Sequence, residues 1–143
     1  MNGTEPIEHL TELDAFLRLC LAAILGMGIG LQRELAGKPA GLRTHGLICM
    51  GSTLFTIVSI NFGGPAYSDP SRIAAGIVTG IGFLGAGAIL RDERGKIAGL
   101  TTAASIWSIA GIGIAIGLGE FVIGAGCAAL TAVILAIPKI RGD

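Results

Sequence analysis

Two related segments of the chain carry most of the side chains that could bind an ion or a partner. RELAGKPAGLRT occupies residues 33–44, and RDERGKIAGLTT follows 58 positions later at residues 91–102. Both keep the same Arg, Gly-Lys, Ala-Gly-Leu and Thr positions, which indicates an internal duplication. Because the offset covers two apolar runs, we expect both copies on one side of a membrane, related by an axis along the membrane normal.

Each copy has a basic and an acidic residue where one helix would end, a Gly-Lys turn, and a Thr suited to cap the next helix. A helix N-terminus with exposed N–H groups beside Lys or Arg can bind a phosphate or a lipid headgroup. The simpler alternative is a pair of capped turns with surface cations. The candidate residues of this cytoplasmic site are Arg33, Glu34, Lys38, Arg43, Thr44, Arg91, Asp92, Lys96, Thr101 and Thr102.

A second candidate site lies at the outer mouth of the third apolar run. Asp69 and Arg72 stand three residues apart there. Asp69 is placed to cap the start of the helix, and the spacing favours this structural role over binding.

Transport of a divalent metal would need several oxygen ligands, usually carboxylates, at mid-membrane depth. Every acid here lies at the end of an apolar run or outside it, so we assign no metal site and no resident cofactor. If an ion is bound, Mg²⁺ is expected, and Glu34, Asp92 and Asp69 are the acids to test. Two hydroxyl stripes leave a polar conduit as an alternative to helix-to-helix hydrogen bonds; they are Ser52, Thr56 and Ser59, and Thr101, Ser105 and Ser108.

Enzymatic chemistry and nucleic-acid binding are not expected. The chain has no Ser-His-Asp order, no metal-spaced His or Cys set and no P-loop, and His9 and His45 are isolated. GIGFLG at residues 80–85 matches the dinucleotide fingerprint, but it lies inside an apolar run without the strand and the later acidic residue that the fingerprint requires. The formal net charge is zero, so the chain as a whole has no excess positive charge to attract the phosphates of a nucleic acid.

The elements that position these residues are membrane helices. A content of 52% hydrophobic and 14% charged residues with 24 glycines is typical of an integral membrane protein. Apolar runs of spanning length occupy residues 15–31, 46–62, 73–90, 103–118 and 121–137. Since such runs in hydrocarbon must be helices, the predicted fold is an all-α integral membrane protein with five transmembrane helices, two repeated helical hairpins and a fifth helix.

Lys and Arg cluster on one side of the predicted membrane, between runs one and two, between three and four, and after five. The positive-inside rule therefore places the N-terminus outside and the C-terminus in the cytoplasm. The chain divides into a periplasmic segment at residues 1–14, a transmembrane domain at 15–138 and a cytoplasmic tail at 139–143.

Small residues recur at helical spacing along most of the runs. Such ridges let helix backbones approach closely, either within one chain or between protomers. The number of glycine faces exceeds what five helices need internally, which predicts a homo-oligomer, most simply a homodimer, in the lipid bilayer. The predicted packing residues are Gly26, Gly30, Gly76, Gly80, Gly87, Gly113 and Gly117.

Four motifs together resemble the MgtC/SapB family of bacterial inner-membrane proteins. They are AGLRTH at residues 40–45, DPSRIAA at 69–75, GIGFLGAG at 80–87 and GLTTAASIW at 99–107. The resemblance implies a multi-pass, five-helix domain in the bacterial inner membrane and an association with growth at low Mg²⁺ and with survival of pathogens in host cells. It also implies contacts with membrane machinery such as the F-type ATP synthase.

The chain departs from the resemblance in two places. Many members continue into a soluble ACT-like domain, whereas this chain stops at Asp143, and Gln32 stands where many relatives have Glu. The expected function is that of a membrane interaction or regulatory protein linked to Mg²⁺ homeostasis; the alternative is an oligomeric transporter or channel for Mg²⁺ or another ion.

Overall fold

The chain folds into a bundle of helices in the computed structural model, which describes residues 10–62, 71–91, 95 and 97–138. The helices are α1 (Glu12–Leu35), α2 (Leu42–Phe62), α3 (Ser71–Gly87), α4 (Leu100–Leu118) and α5 (Phe121–Ala136). Each predicted apolar run corresponds to one of them, so the helical fold class is confirmed for the described part of the chain.

The surface of the bundle is that of a protein in lipid. Phe83 is 82% exposed and Val122 is 87% exposed, while most of the buried side chains of α2 carry a hydroxyl or an imidazole. Three stretches are long and apolar enough to cross a membrane, Glu12–Leu35, Ser71–Ala88 and Leu100–Leu118, and α5 is a shorter apolar helix. The count of five spans and their sidedness stay predictions.

The connection between α3 and α4 contains a short antiparallel ladder that the sequence did not predict. Strand β1 (Leu90–Arg91) pairs with β2 (Ile97–Ala98). The helix predicted for residues 73–90 therefore ends at Gly87, before the ladder begins. Gly99 follows the ladder with φ +89°, and a Cβ atom there would overlap the Ala88 carbonyl. Glycine at this position lets the end of α3 lie directly against the start of α4.

Helix α4 lies at the centre of the bundle and contacts each of the other helices. Its Ile109, Ile112 and Ile116 are buried, and they form the main apolar cluster together with residues from α1, α2 and α5: Ala22, Ile29, Cys49 and Ala128. A smaller cluster of Ile81, Ile106 and Ala110 joins α3 to α4. The other helices of the bundle are thus arranged around α4.

Four of the predicted packing glycines lie at close helix contacts. A Cβ atom at Gly26 would overlap the His45 carbonyl, and one at Gly30 would overlap Leu42, so both glycines let α1 lie against the start of α2. Gly113 and Gly117 let α4 lie against α2. Cβ atoms at these two glycines would be too close to atoms of four α2 residues, Cys49, Ser52, Thr53 and Thr56. These contacts are the close backbone approaches that small residues permit in membrane bundles.

The three predicted packing glycines that lie on α3 have a different environment. Gly76, Gly80 and Gly87 are exposed, and no atom of the described residues lies within 4 Å of the place where a Cβ would be, apart from their own helix. Packing of this ridge within the chain is therefore not seen in the described part of the structure. Its contact with something outside the chain stays a prediction.

Substituting Gly113 with Ala is expected to destabilise the bundle, because the added methyl group would overlap the Cys49 carbonyl of α2. Overpacking of this kind costs about 1–3 kcal/mol. The measurement is the free energy of unfolding in detergent micelles. Gly111→Ala is the matched control, since Gly111 lies on the same helix with no atom within 4 Å. Equal effects of the two substitutions would show that α2 and α4 are not in close contact.

Candidate functional site

Arg33, in the last turn of α1, is the cation around which one end of the bundle is built. Its side chain is only 6% exposed, and Nη2 donates a hydrogen bond to Thr102 Oγ1 at 2.5 Å. The first charged segment thus contacts the second. The reverse contact is not formed: Arg91 Nε donates locally to the Gly95 carbonyl at 3.4 Å, and Thr44 is exposed.

His45 lies fully buried beside the same turn of α4. Its Nδ1 is 3.2 Å from the Gly41 carbonyl oxygen, and its Nε2 is 3.1 Å from Ser105 Oγ. The Ser105 hydroxyl in turn donates to the Thr102 carbonyl at 2.8 Å. Arg33, His45, Thr102 and Ser105 therefore form one polar cluster, and this polar cluster ties α1, α2 and α4 together.

The capping role assigned to the two threonines is wrong. The Glu34 carboxylate accepts a hydrogen bond from the Leu42 backbone N–H at 3.0 Å, so Glu34 caps α2 and Thr44 lies inside its first turn. Helix α4 begins after Gly99 without a side-chain cap, and Thr102 serves as the acceptor for Arg33 instead. Both helices start earlier than the threonines, which places each Thr beyond the capping position.

The glycine before α2 leaves room for the Glu34 cap. A Cβ atom at Gly41 would overlap the Glu34 carboxylate where it now lies, so a side chain there would push the carboxylate away from its present position. A negative carboxylate at a helix N-terminus is stabilised by the unpaired N–H groups there.

The remaining candidates lie on the rim or outside the described residues. Lys38, Arg43 and Thr101 are exposed. Asp92 and Lys96 of the second segment, and Asp69 of the outer-mouth pair, belong to the ranges that the structure leaves undescribed. Arg72 is exposed in the first turn of α3. Within the described ranges, no group of three His, Cys, Asp or Glu side chains is placed to hold a metal ion.

The hydroxyl stripe predicted on α2 faces the interior of the bundle. Ser52, Thr56 and Ser59 are buried, and so is Thr53, which the predicted stripe omitted. Thr53 Oγ1 lies 2.8 Å from the Gly113 carbonyl and 3.0 Å from that of Cys49, and it donates to both. The Thr56 hydroxyl donates to the Ser52 carbonyl at 2.8 Å. The Thr53 hydroxyl thus joins α2 to α4, whereas the Thr56 hydroxyl bonds within α2.

Arg18 and His45 have structural roles that sequence reasoning missed. Arg18 Nη1 donates to the Gly117 carbonyl at 2.7 Å, and the guanidinium carbon lies 5.4 Å from the centre of the Phe121 ring. Arg18 therefore joins α1 to the turn between α4 and α5 at the end opposite the polar cluster. The sequence feature that could have pointed to His45 is its place in the motif AGLRTH. In the folded chain this motif contacts the motif GLTTAASIW through His45 and Ser105.

Comparison with known proteins gives a consistent result. The model of the MgtC family matches residues 19–140. The chain is 49% identical over 114 residues to protein SapB of Bacillus subtilis, covering 76% of this chain and 49% of that protein. It is 50% identical over 127 residues to the putative magnesium transporter YhiD of Escherichia coli K12, covering 85% of this chain and 59% of that protein. It is 43% identical over 114 residues to protein MgtC of Salmonella typhimurium LT2, covering 80% of this chain and 48% of that protein.

The matched region is a part of those relatives, because the chain spans about half the length of each. No solved structure matches the chain significantly. The range matched by the family model covers most of the helical bundle, and the polar cluster lies within that range.

Replacing Glu34 with Ala is expected to lower the free energy of unfolding by about 0.5–2 kcal/mol, because the Leu42 N–H loses its side-chain acceptor. Glu34→Gln keeps an acceptor oxygen and should cost less. Thermal or denaturant unfolding in detergent measures both. Arg43→Ala is the control, since Arg43 is an exposed charge on the same helical turn. A loss for Arg43→Ala as large as that for Glu34→Ala would contradict the cap.

Proposed function

The chain belongs to the MgtC family, and on that premise we propose that it is a membrane protein of magnesium homeostasis that acts by contact with another membrane protein. The link to magnesium comes from a relative that carries the name putative magnesium transporter. The mode of action is inferred from the arrangement of charge inside the bundle.

The observation that carries this proposal is the sign of the buried charge. The buried side chain with a permanent charge in the described bundle is Arg33, a cation. A positive charge at low dielectric repels a divalent cation, and the repulsion is far stronger there than in water. Together with the backbone-engaged hydroxyls of α2, this favours a regulatory contact over passage of Mg²⁺ through the protomer.

The alternative is transport through an oligomer, which the name of the Escherichia coli relative favours. A path between protomers would avoid Arg33 and would use exposed acids at the rim, and Glu34 is one of the described acids there. The two functions differ in whether purified protein alone moves the ion.

The surface proposed for the partner, or for a second copy in a homodimer, is α5. This helix is peripheral, with Gly124 and Ala128 as its buried residues. Ala125 and Ala129 face outward beside Gly126, which has no atom within 4 Å of a Cβ position. A ridge of small residues of this kind lets another helix approach closely. On the basis of the family resemblance, we propose the F-type ATP synthase as one partner to test.

The bacterial inner membrane, with the N-terminus outside, is the proposed location. The apolar helices and the exposed apolar side chains support a membrane environment. The distribution of Lys and Arg supports the orientation.

Purified protein in sealed vesicles is expected to give no Mg²⁺ entry above that of protein-free vesicles. A Mg²⁺-sensitive dye inside the vesicles measures entry, and a parallel crosslinking pull-down from membranes measures partners. For the pull-down, a photo-crosslinker at Ala129 should capture a membrane protein, whereas one at the buried Ile109 should not. Saturable Mg²⁺ entry that is lost in Glu34→Gln would instead establish the transporter.

A further inference from the structure

Helix α3 packs against α4, and a groove lies between α3 and α2. The groove has a volume of about 580 Å³. Its α2 wall includes Leu47, Ile48 and Phe55, and its α3 wall includes Ile73, Ile77 and Leu84. An apolar groove of this size is within the range of small-molecule sites.

The floor on the α3 side is bare backbone. Gly76 and Gly80 line the groove, and neither has another atom within 4 Å of its Cβ position. The groove is therefore open where a side chain on α3 would otherwise fill it.

One end of the groove is positive. Arg72, in the first turn of α3, lines that end, and its side chain is exposed. The far end is lined by apolar residues, among them Leu84. The groove thus has the polarity of a lipid, with a cationic rim and an apolar interior.

The length of the groove matches one leaflet of a membrane. Arg72 and Leu84 are twelve positions apart, which is about 18 Å along a helix. Half of a bilayer's hydrocarbon core is about 15 Å thick. An acyl chain that begins at the headgroup level beside Arg72 would therefore end near Leu84.

The lining of the groove favours a phospholipid. Both walls carry apolar side chains, and Gly76 and Gly80 add no side chain to the α3 wall, so a hydrocarbon chain can lie between the helices. The anionic phosphate of a phospholipid complements the charge of Arg72, whereas the apolar face of another helix does not.

We propose that the groove between α2 and α3 binds one acyl chain of a membrane phospholipid, whose phosphate is bound by Arg72. Each buried CH₂ group adds apolar contact, and the guanidinium adds a charge-assisted hydrogen bond to the phosphate. This site is independent of the regulatory role proposed above, since it involves neither the polar cluster nor α5.

Native mass spectrometry of the full chain in detergent tests the site, with phosphatidylglycerol and a diacylglycerol of the same acyl chains as probes. The wild-type protein should retain one phosphatidylglycerol. Gly76→Leu and Gly80→Leu should each lower its occupancy at least tenfold, because leucine fills the groove. Gly82→Leu is the matched control, since Gly82 is an equally open glycine of α3 that does not line the groove.

Arg72→Gln tests the headgroup contact. It should lower the affinity for phosphatidylglycerol about tenfold and leave that for diacylglycerol unchanged. Helix content and elution volume should match the wild type in every variant, which separates lost binding from lost folding. The proposal would be overturned if Gly80→Leu retained the lipid, or if Gly82→Leu lost it to the same extent. It would also be overturned if the protein were a lipid-free dimer that only Gly76→Leu and Gly80→Leu dissociate.

Discussion

The burial of the Arg33 guanidinium against the first turn of α4 is the constraint on which the bundle depends. A charged group removed from water must be compensated by hydrogen bonds, and here Thr102 provides one while Nε has no partner among the described residues. The contact requires α1 and α4 to meet at one end of the bundle. His45 then brings α2 to the same turn through Ser105.

Glycine makes this convergence sterically feasible. Gly26 and Gly30 let α1 lie on the start of α2, and Gly113 and Gly117 let α2 lie on α4. In lipid there is no hydrophobic force between helices, so close packing and internal hydrogen bonds must hold them together. Gly76 and Gly80 of α3 belong to a different class, because they are exposed and border the groove beside Arg72.

Helices and glycine ridges could be read from the sequence because apolar length and small-residue spacing are local properties. What α3 presents to its surroundings could not be predicted, since Gly80 and Gly113 have the same kind of spacing but different neighbours. The capping residue was missed for a related reason: Glu34 reaches Leu42 across a loop, and only the folded loop shows that it replaces Thr44.

A double-mutant cycle between Arg33 and Thr102 tests the central contact most directly. The free energy of unfolding is measured in detergent for Arg33→Met, Thr102→Val and the double variant, with Thr101→Val in place of Thr102→Val as the control cycle. The buried hydrogen bond predicts a coupling of about 1–3 kcal/mol for Thr102 and about zero for the exposed Thr101. Additive effects of Arg33→Met and Thr102→Val would show that the two side chains do not interact.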